Sequence, residues 1–147
     1  MPRRYAVAIG KDHSRTTLPL SITPLYAGIL ALIYCGLAVH VIRGWRSKCI
    51  GLGAGDDEDM LARIRILGNF AEYIPICLVL MVILELGGSS AVFLNGVGIA
   101  LIIGRLAHAY GLTTSQGVTP GRVIGVVTVF VVLIGDGVRA ILLGLGV

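Results

Sequence analysis

"RILGNFAEYIP", residues 65–75, sets polar side chains at the edge of a long apolar run. It begins an apolar run long enough to cross a membrane, yet it carries Arg65, Asn69 and Glu72 and closes on Pro75. On a helix these three polar residues are spaced i, i+4 and i+7 and share one narrow face. Tyr73 lies about a quarter-turn away by the same geometry. A charge near the middle of a membrane helix costs roughly 2.5–3.5 kcal/mol on insertion scales. Facing lipid, the stripe would be a liability. Facing protein, Arg65 and Glu72 can pair and Asn69 can hydrogen-bond a neighbour, so the stripe is expected to point into a bundle or a polar cavity. Pro75 is expected to kink the helix.

The rest of the chain agrees with a membrane setting. Its 147 residues leave room for one domain, and they are 56% hydrophobic with only 14% charged. The mean hydropathy is +0.91. A soluble domain of this size could not hide that much apolar surface. The net charge of +4 comes mostly from basic residues beside hydrophobic segments: Arg3, Arg4, Lys11, Arg15, Arg43, Arg46 and Lys48. Those positions suit contact with anionic headgroups of a lipid bilayer. Aromatic and basic residues are not interleaved as in a nucleic-acid groove, so no nucleic-acid partner is expected. Cys35, Cys49 and Cys77 form no CxxC pair and have no nearby histidine at ligand spacing, which indicates neither a disulfide framework nor a metal site.

About 20 apolar residues are needed to span the hydrocarbon core as helix. Four such runs occur, at about Leu25–Ile42, Ile64–Leu86, Ala91–Tyr110 and Val123–Val147. The first could start near Leu18, with Pro19 and Pro24 making its beginning irregular. It is read as a retained span because "HVIRGWRSK" (40–48) follows it as a stop-transfer flank. Gly87–Ser90 reads as a tight turn between antiparallel second and third spans. The acidic run Asp56–Asp59 is expected to open the second helix, because carboxylates favour a helix N-terminus. The fold class is therefore all-α, an integral membrane four-helix bundle. An N-terminal extension (1–17) precedes a four-span domain (18–147). Both termini fall on one side, with the 43–63 and 111–122 loops on the other; basic residues are too evenly shared to orient the chain.

Antiparallel packing gathers further polar groups near the start of the second span. Arg105 and His108 come from the third, His40 and Arg43 end the first, and Tyr110 and Arg122 lie at the same surface. The bland reading is that these groups join helices to one another. Two cations converging on one pocket exceed what packing needs, however, and suit an anionic ligand. Towards the opposite surface, Asp136 and Arg139 at i, i+3 are expected to form an ion pair. Gly121 and Gly125 are spaced small-xxx-small, a packing pattern of little weight in a chain with 21 glycines.

With Arg65-x3-Asn69-x2-Glu72-Tyr73-x-Pro75 in the second of four short spans, the chain resembles the MAPEG family, the membrane-associated proteins in eicosanoid and glutathione metabolism. The stretch "GRLAHAYGL" (104–112) is similar to the family's third span. The likeness covers about residues 20–145 and implies a bundle that assembles as a homotrimer in a membrane, here of the bacterial inner-membrane type, with the 43–63 loop cytoplasmic. It also implies glutathione as cofactor, held by Arg65, Asn69, Glu72 and Tyr73, with Arg105 and Arg43 joining from neighbouring helices. Glutathione offers two carboxylates for arginines and one ammonium for a glutamate, which matches that set.

The sequence also departs from the family pattern. His108 and Leu112 stand where the cysteinyl-leukotriene synthase branch has tyrosines. The position of that branch's thiol-activating arginine falls near Thr119. Arg122 is the nearby substitute, and with His108 it is the candidate for stabilising a thiolate, which needs a positive neighbour or a donor at neutral pH. The resemblance thus implies glutathione-transferase or peroxidase-like activity on a lipophilic small-molecule substrate. The alternative is a non-catalytic lipid- or partner-binding protein on the same fold. A small transporter or channel subunit is a third reading, resting on intramembrane charge alone.

Overall fold

The computed structural model describes residues 20–114 and 118–147. They form four helices: α1 (Thr23–Lys48), α2 (Glu58–Leu86), α3 (Ala91–Thr114) and α4 (Pro120–Leu145). At 1.5 Å per residue these are roughly 36–44 Å long, so each can cross a hydrocarbon core of about 30 Å. All four are also apolar enough to do so. The N-terminal extension (1–17) and the irregular start near Leu18 and Pro19 lie outside the described residues.

The helices outrun the expected spans because local chemistry supports their ends. Pro24 sits in the first turn of α1, where its missing N–H is no loss. Arg46 and Lys48 occupy the last turn of α1, and Glu58 and Asp59 the first turn of α2; both pairings complement the helix dipole. As a result the connection between α1 and α2 shrinks to residues 49–57. Asp57, within the acidic run, is the N-cap of α2, and its carboxylate accepts from the Met60 amide at 2.7 Å. Thr119 caps α4 in the same way, accepting from the Arg122 amide. Helix α2 runs through Pro75 without interruption.

The α1–α2 connection is held by its charges. Lys48 Nζ lies 2.6 Å from Asp57 and 3.1 Å from Asp59, and Arg63 lies 3.0 Å from Asp59. Lys48, together with the Met60 amide, holds the Asp57 carboxyl below its ordinary range. Trp45 Nε1 donates to the Gly53 carbonyl across the same loop at 2.8 Å.

At the opposite end of α2, Glu85 accepts from the backbone amides of Ser21, Ile22 and Thr23 at 2.6–2.7 Å. These are orphan donors of α1, whose own N-cap position, Ile22, offers no side-chain acceptor. A carboxylate near a helix C-terminus is electrostatically disfavoured. The adjacent α1 N-terminus removes that conflict.

The core is built from Tyr26 and Leu30 of α1, Phe70, Ile74, Cys77 and Met81 of α2, Val97 and Leu101 of α3, and Val129 and Val132 of α4. Helix α1 packs on α2 and α3 but not on α4, while α3 and α4 form the closest pair. Their approach depends on glycine. A Cβ on Gly125 would stand 2.4 Å from the His108 Cβ and 2.6 Å from the Gly104 carbonyl oxygen, and one on Gly121 would stand 2.6 Å from the Ala107 oxygen. The small-xxx-small pair is therefore a true packing motif.

The expected ion pair between Asp136 and Arg139 does not form. The Arg139 guanidinium lies over the Phe93 ring of α3, 4.1 Å from its centroid, so a cation–π contact replaces the salt bridge. Asp136 is buried, and its Oδ2 has no hydrogen-bond partner among the described residues.

Candidate functional site

Helix α2 presents Arg65, Asn69, Glu72 and Tyr73 on one face because their spacing follows its turn. Arg65 lies seven residues inside Glu58, roughly 10 Å along the axis, so the stripe begins near the membrane surface shared by the two longer loops. All four residues line one cleft of about 460 Å³. His108 and Leu112 of α3 and Arg122 of α4 form its other walls. The cleft thus brings together six of the eight site residues read from the sequence.

The other two sit elsewhere. Arg105 does not line the cleft: it is buried at 3% exposure and donates to Asn69 Oδ1 and to the Gly125 carbonyl oxygen. Its place is behind the wall, joining α3 to both α2 and α4 and fixing which way the Asn69 amide turns. Arg43 is exposed on α1, which contributes no residue to the cleft.

The state of the lining groups differs from one residue to the next. Arg65 and Glu72 are exposed and do not use the pairing open to them: neither has an ion pair or hydrogen bond among the described residues. Tyr73 packs its ring against Phe130 of α4 at 5.7 Å. His108 is buried against α4, its Nδ1 3.5 Å from the Arg122 carbonyl oxygen. A cation and a carboxylate without partners among the described residues therefore share one concave surface with a phenol, an imidazole and a second arginine. Such a surface suits a small zwitterion that carries more negative than positive groups.

Two further concave features accompany the cleft. A shallower recess shares Arg65, Leu112 and Arg122 with it and extends to Glu58 and Leu61 at the start of α2. An apolar groove between α1 and α2 is lined by Leu30, Tyr34, Phe70 and Pro75 among others. Glu85 is the polar residue that sequence reading missed. The signal available was a glutamate at the closing end of an apolar helix, where it needs a partner.

The profile of the MAPEG family matches residues 23–142, the whole of the four-helix bundle save the last turn of α4. This chain belongs to the MAPEG family. It is similar to the inner membrane protein YecN of Escherichia coli K12, with 37% identity over 90 residues, which are 61% of this chain and 69% of YecN. YecN of the E. coli O6:H1 strain CFT073 gives the same figures. No solved structure matches the chain significantly. With four membrane-crossing helices and inner-membrane relatives, this MAPEG protein is a multi-pass protein of the bacterial inner membrane.

Proposed function

We propose that the cleft binds glutathione and that the protein is a membrane glutathione transferase or peroxidase acting on lipophilic electrophiles. The observation that carries this reading is the juxtaposition of unpaired Arg65 and Glu72 on one wall with Arg122 on the other. The residues fit the tripeptide by charge: the arginines match its carboxylates and Glu72 its ammonium. Asn69, turned by Arg105, and Tyr73 add hydrogen-bonding groups. Bound there, glutathione would supply a thiolate, the nucleophile for an electrophilic carbon or the reductant for a peroxide.

The chain's own part is to hold and stabilise that thiolate. Arg122 provides positive charge, and His108, walled off by α4, provides a hydrogen-bond donor or acceptor within the same cleft. The lipophilic substrate reaches the cleft from the bilayer. By family likeness the working unit is a homotrimer with the cleft end towards the cytoplasm. Arg43, exposed and off its own cleft, is then available to a neighbouring subunit.

The test is turnover of a lipophilic aryl halide with glutathione by the detergent-solubilised protein. Conjugation above the uncatalysed rate, reduced tenfold or more by Arg122→Ala, supports the reading. No turnover by a folded protein of trimeric mass removes it. A second reading, a non-catalytic lipid-binding member, draws support from Leu112 in the cleft wall and the apolar α1–α2 groove. It predicts stabilisation by a hydrophobic ligand with no dependence on glutathione.

A further inference from the structure

Asp136 is the one buried carboxylate in the described bundle, at 2% exposure, and its Oδ2 has no partner. Leaving such a group without hydrogen bonds in a low-dielectric interior is costly, so a partner or a proton is required. The obvious partner, Arg139, is one helical turn away and is engaged instead over Phe93. Cys77 of α2 is a further ionisable group close enough to feel the Asp136 charge, and it is itself buried in the core.

Asp136 also lines a groove of about 380 Å³ between α3 and α4, separate from the cleft. Gly96, Ala100 and Gly135 line it with small side chains, and Phe93 and Val132 add apolar surface. A Cβ built on Gly96 or Gly135 meets nothing within 4 Å, so neither glycine is required there by close packing of the bundle. The groove runs along two membrane-spanning helices, and its lining is apolar apart from the one acid.

We propose that this groove is a second ligand site, for a membrane-soluble amphiphile whose head is a protonated amine and whose tail is a single alkyl chain. Charge complementarity selects the head: an unpaired carboxylate in an apolar wall is satisfied by a cation that also donates a hydrogen bond. The small residues Gly96, Ala100 and Gly135 leave a trough along the two helices in which a single alkyl chain can lie. This site stands apart from the glutathione reading. It shares no residue with the cleft, so either can fail alone.

The experiment is photolabelling of the full chain in nanodiscs of zwitterionic lipid, using a long-chain primary amine with a diazirine in its tail. The expected result is saturable labelling of peptides containing residues 92–100 and 131–136. An unlabelled alkylamine should compete at least tenfold better than the alcohol or carboxylate of equal length. Asp136→Asn should cut labelling at least tenfold, and Gly96→Leu, which fills the trough without touching the acid, should do the same. Labelling that is unsaturable, that ignores head-group charge in the wild-type protein, or that persists in Gly96→Leu would overturn the proposal. So would chemical cross-links placing a second copy of the chain on this groove. The head-group comparison uses the wild-type protein alone, so poor folding of a variant does not blunt the test.

Discussion

Two glutamates on one helix, Glu72 and Glu85, separate the end of the molecule that holds the proposed ligand cleft from the end that closes on α1. Both lie on α2, thirteen residues apart, and both are acids inside a membrane protein. Glu85 accepts the backbone amides of Ser21, Ile22 and Thr23 and so closes the start of a neighbouring helix. Glu72 has no ion-pair or hydrogen-bond partner among the described residues and faces a cleft with Arg65. The comparison teaches that charge inside a bundle is not itself a sign of function. An acid whose hydrogen bonds are complete within the fold stabilises it, whereas one left incomplete beside other incomplete groups is a candidate for a ligand.

Arg105 belongs to both ends, bracing the fold while orienting a cleft residue. Arg105→Met should leave Asn69 and the Gly125 carbonyl without their buried donor, costing about 3 kcal/mol of stability. Because Asn69 is then free to turn, glutathione binding should weaken as well. Thermal denaturation and calorimetry on the same preparation check both effects. Loss of stability with no change in binding would separate the strut from the cleft.

Next in size is Glu85→Ala. Three orphan amides lose a charged acceptor, so destabilisation of about 2 kcal/mol is expected, with glutathione affinity unchanged once the protein is folded. Glu72→Gln should behave in the opposite way. Its stability should stay within about 0.5 kcal/mol of wild type, as for surface changes without partners. Its affinity for glutathione should fall by about 2 kcal/mol, roughly thirtyfold, as when one member of a charged contact is removed. If Glu72→Gln destabilised the fold as much as Glu85→Ala, the distinction between the two acids would collapse.

The smallest effect concerns the α1–α2 loop. Asp57 titrates below its ordinary value in the folded protein, because Lys48 and the Met60 amide favour its charged form. Its contribution is therefore fully present above the unfolded carboxylate value of 3.8 and is lost as pH falls through the lower, folded value. Hydrogen exchange at the start of α2 should rise below about pH 4, and Asp57→Asn should remove most of that pH dependence.

Much of this was legible in the sequence because it is local. Runs of apolar residues set the four spans, and the i, i+4, i+7 spacing of Arg65, Asn69 and Glu72 placed them on one face before any neighbour was known. The acidic run opening α2 was legible for the same reason. What escaped depends on contacts between distant helices. Arg105 and His108 share a face of α3, yet one is a strut behind the wall and the other lines the cleft, a difference set by how closely Gly125 lets α4 approach. The spacing of Asp136 and Arg139 suggested a pair, but Phe93, forty-three residues from Asp136, takes the guanidinium. Nothing near Glu85 in sequence points to α1, because the amides it caps lie more than sixty residues earlier.

The most direct measurement is calorimetric titration of glutathione into the solubilised protein, with Arg65→Ala run beside it. Saturable binding to the wild-type protein and a loss of at least thirtyfold in the variant are expected, with both equally stable. Absence of binding to a well-folded wild-type protein, or equal binding by the variant, would contradict the glutathione reading.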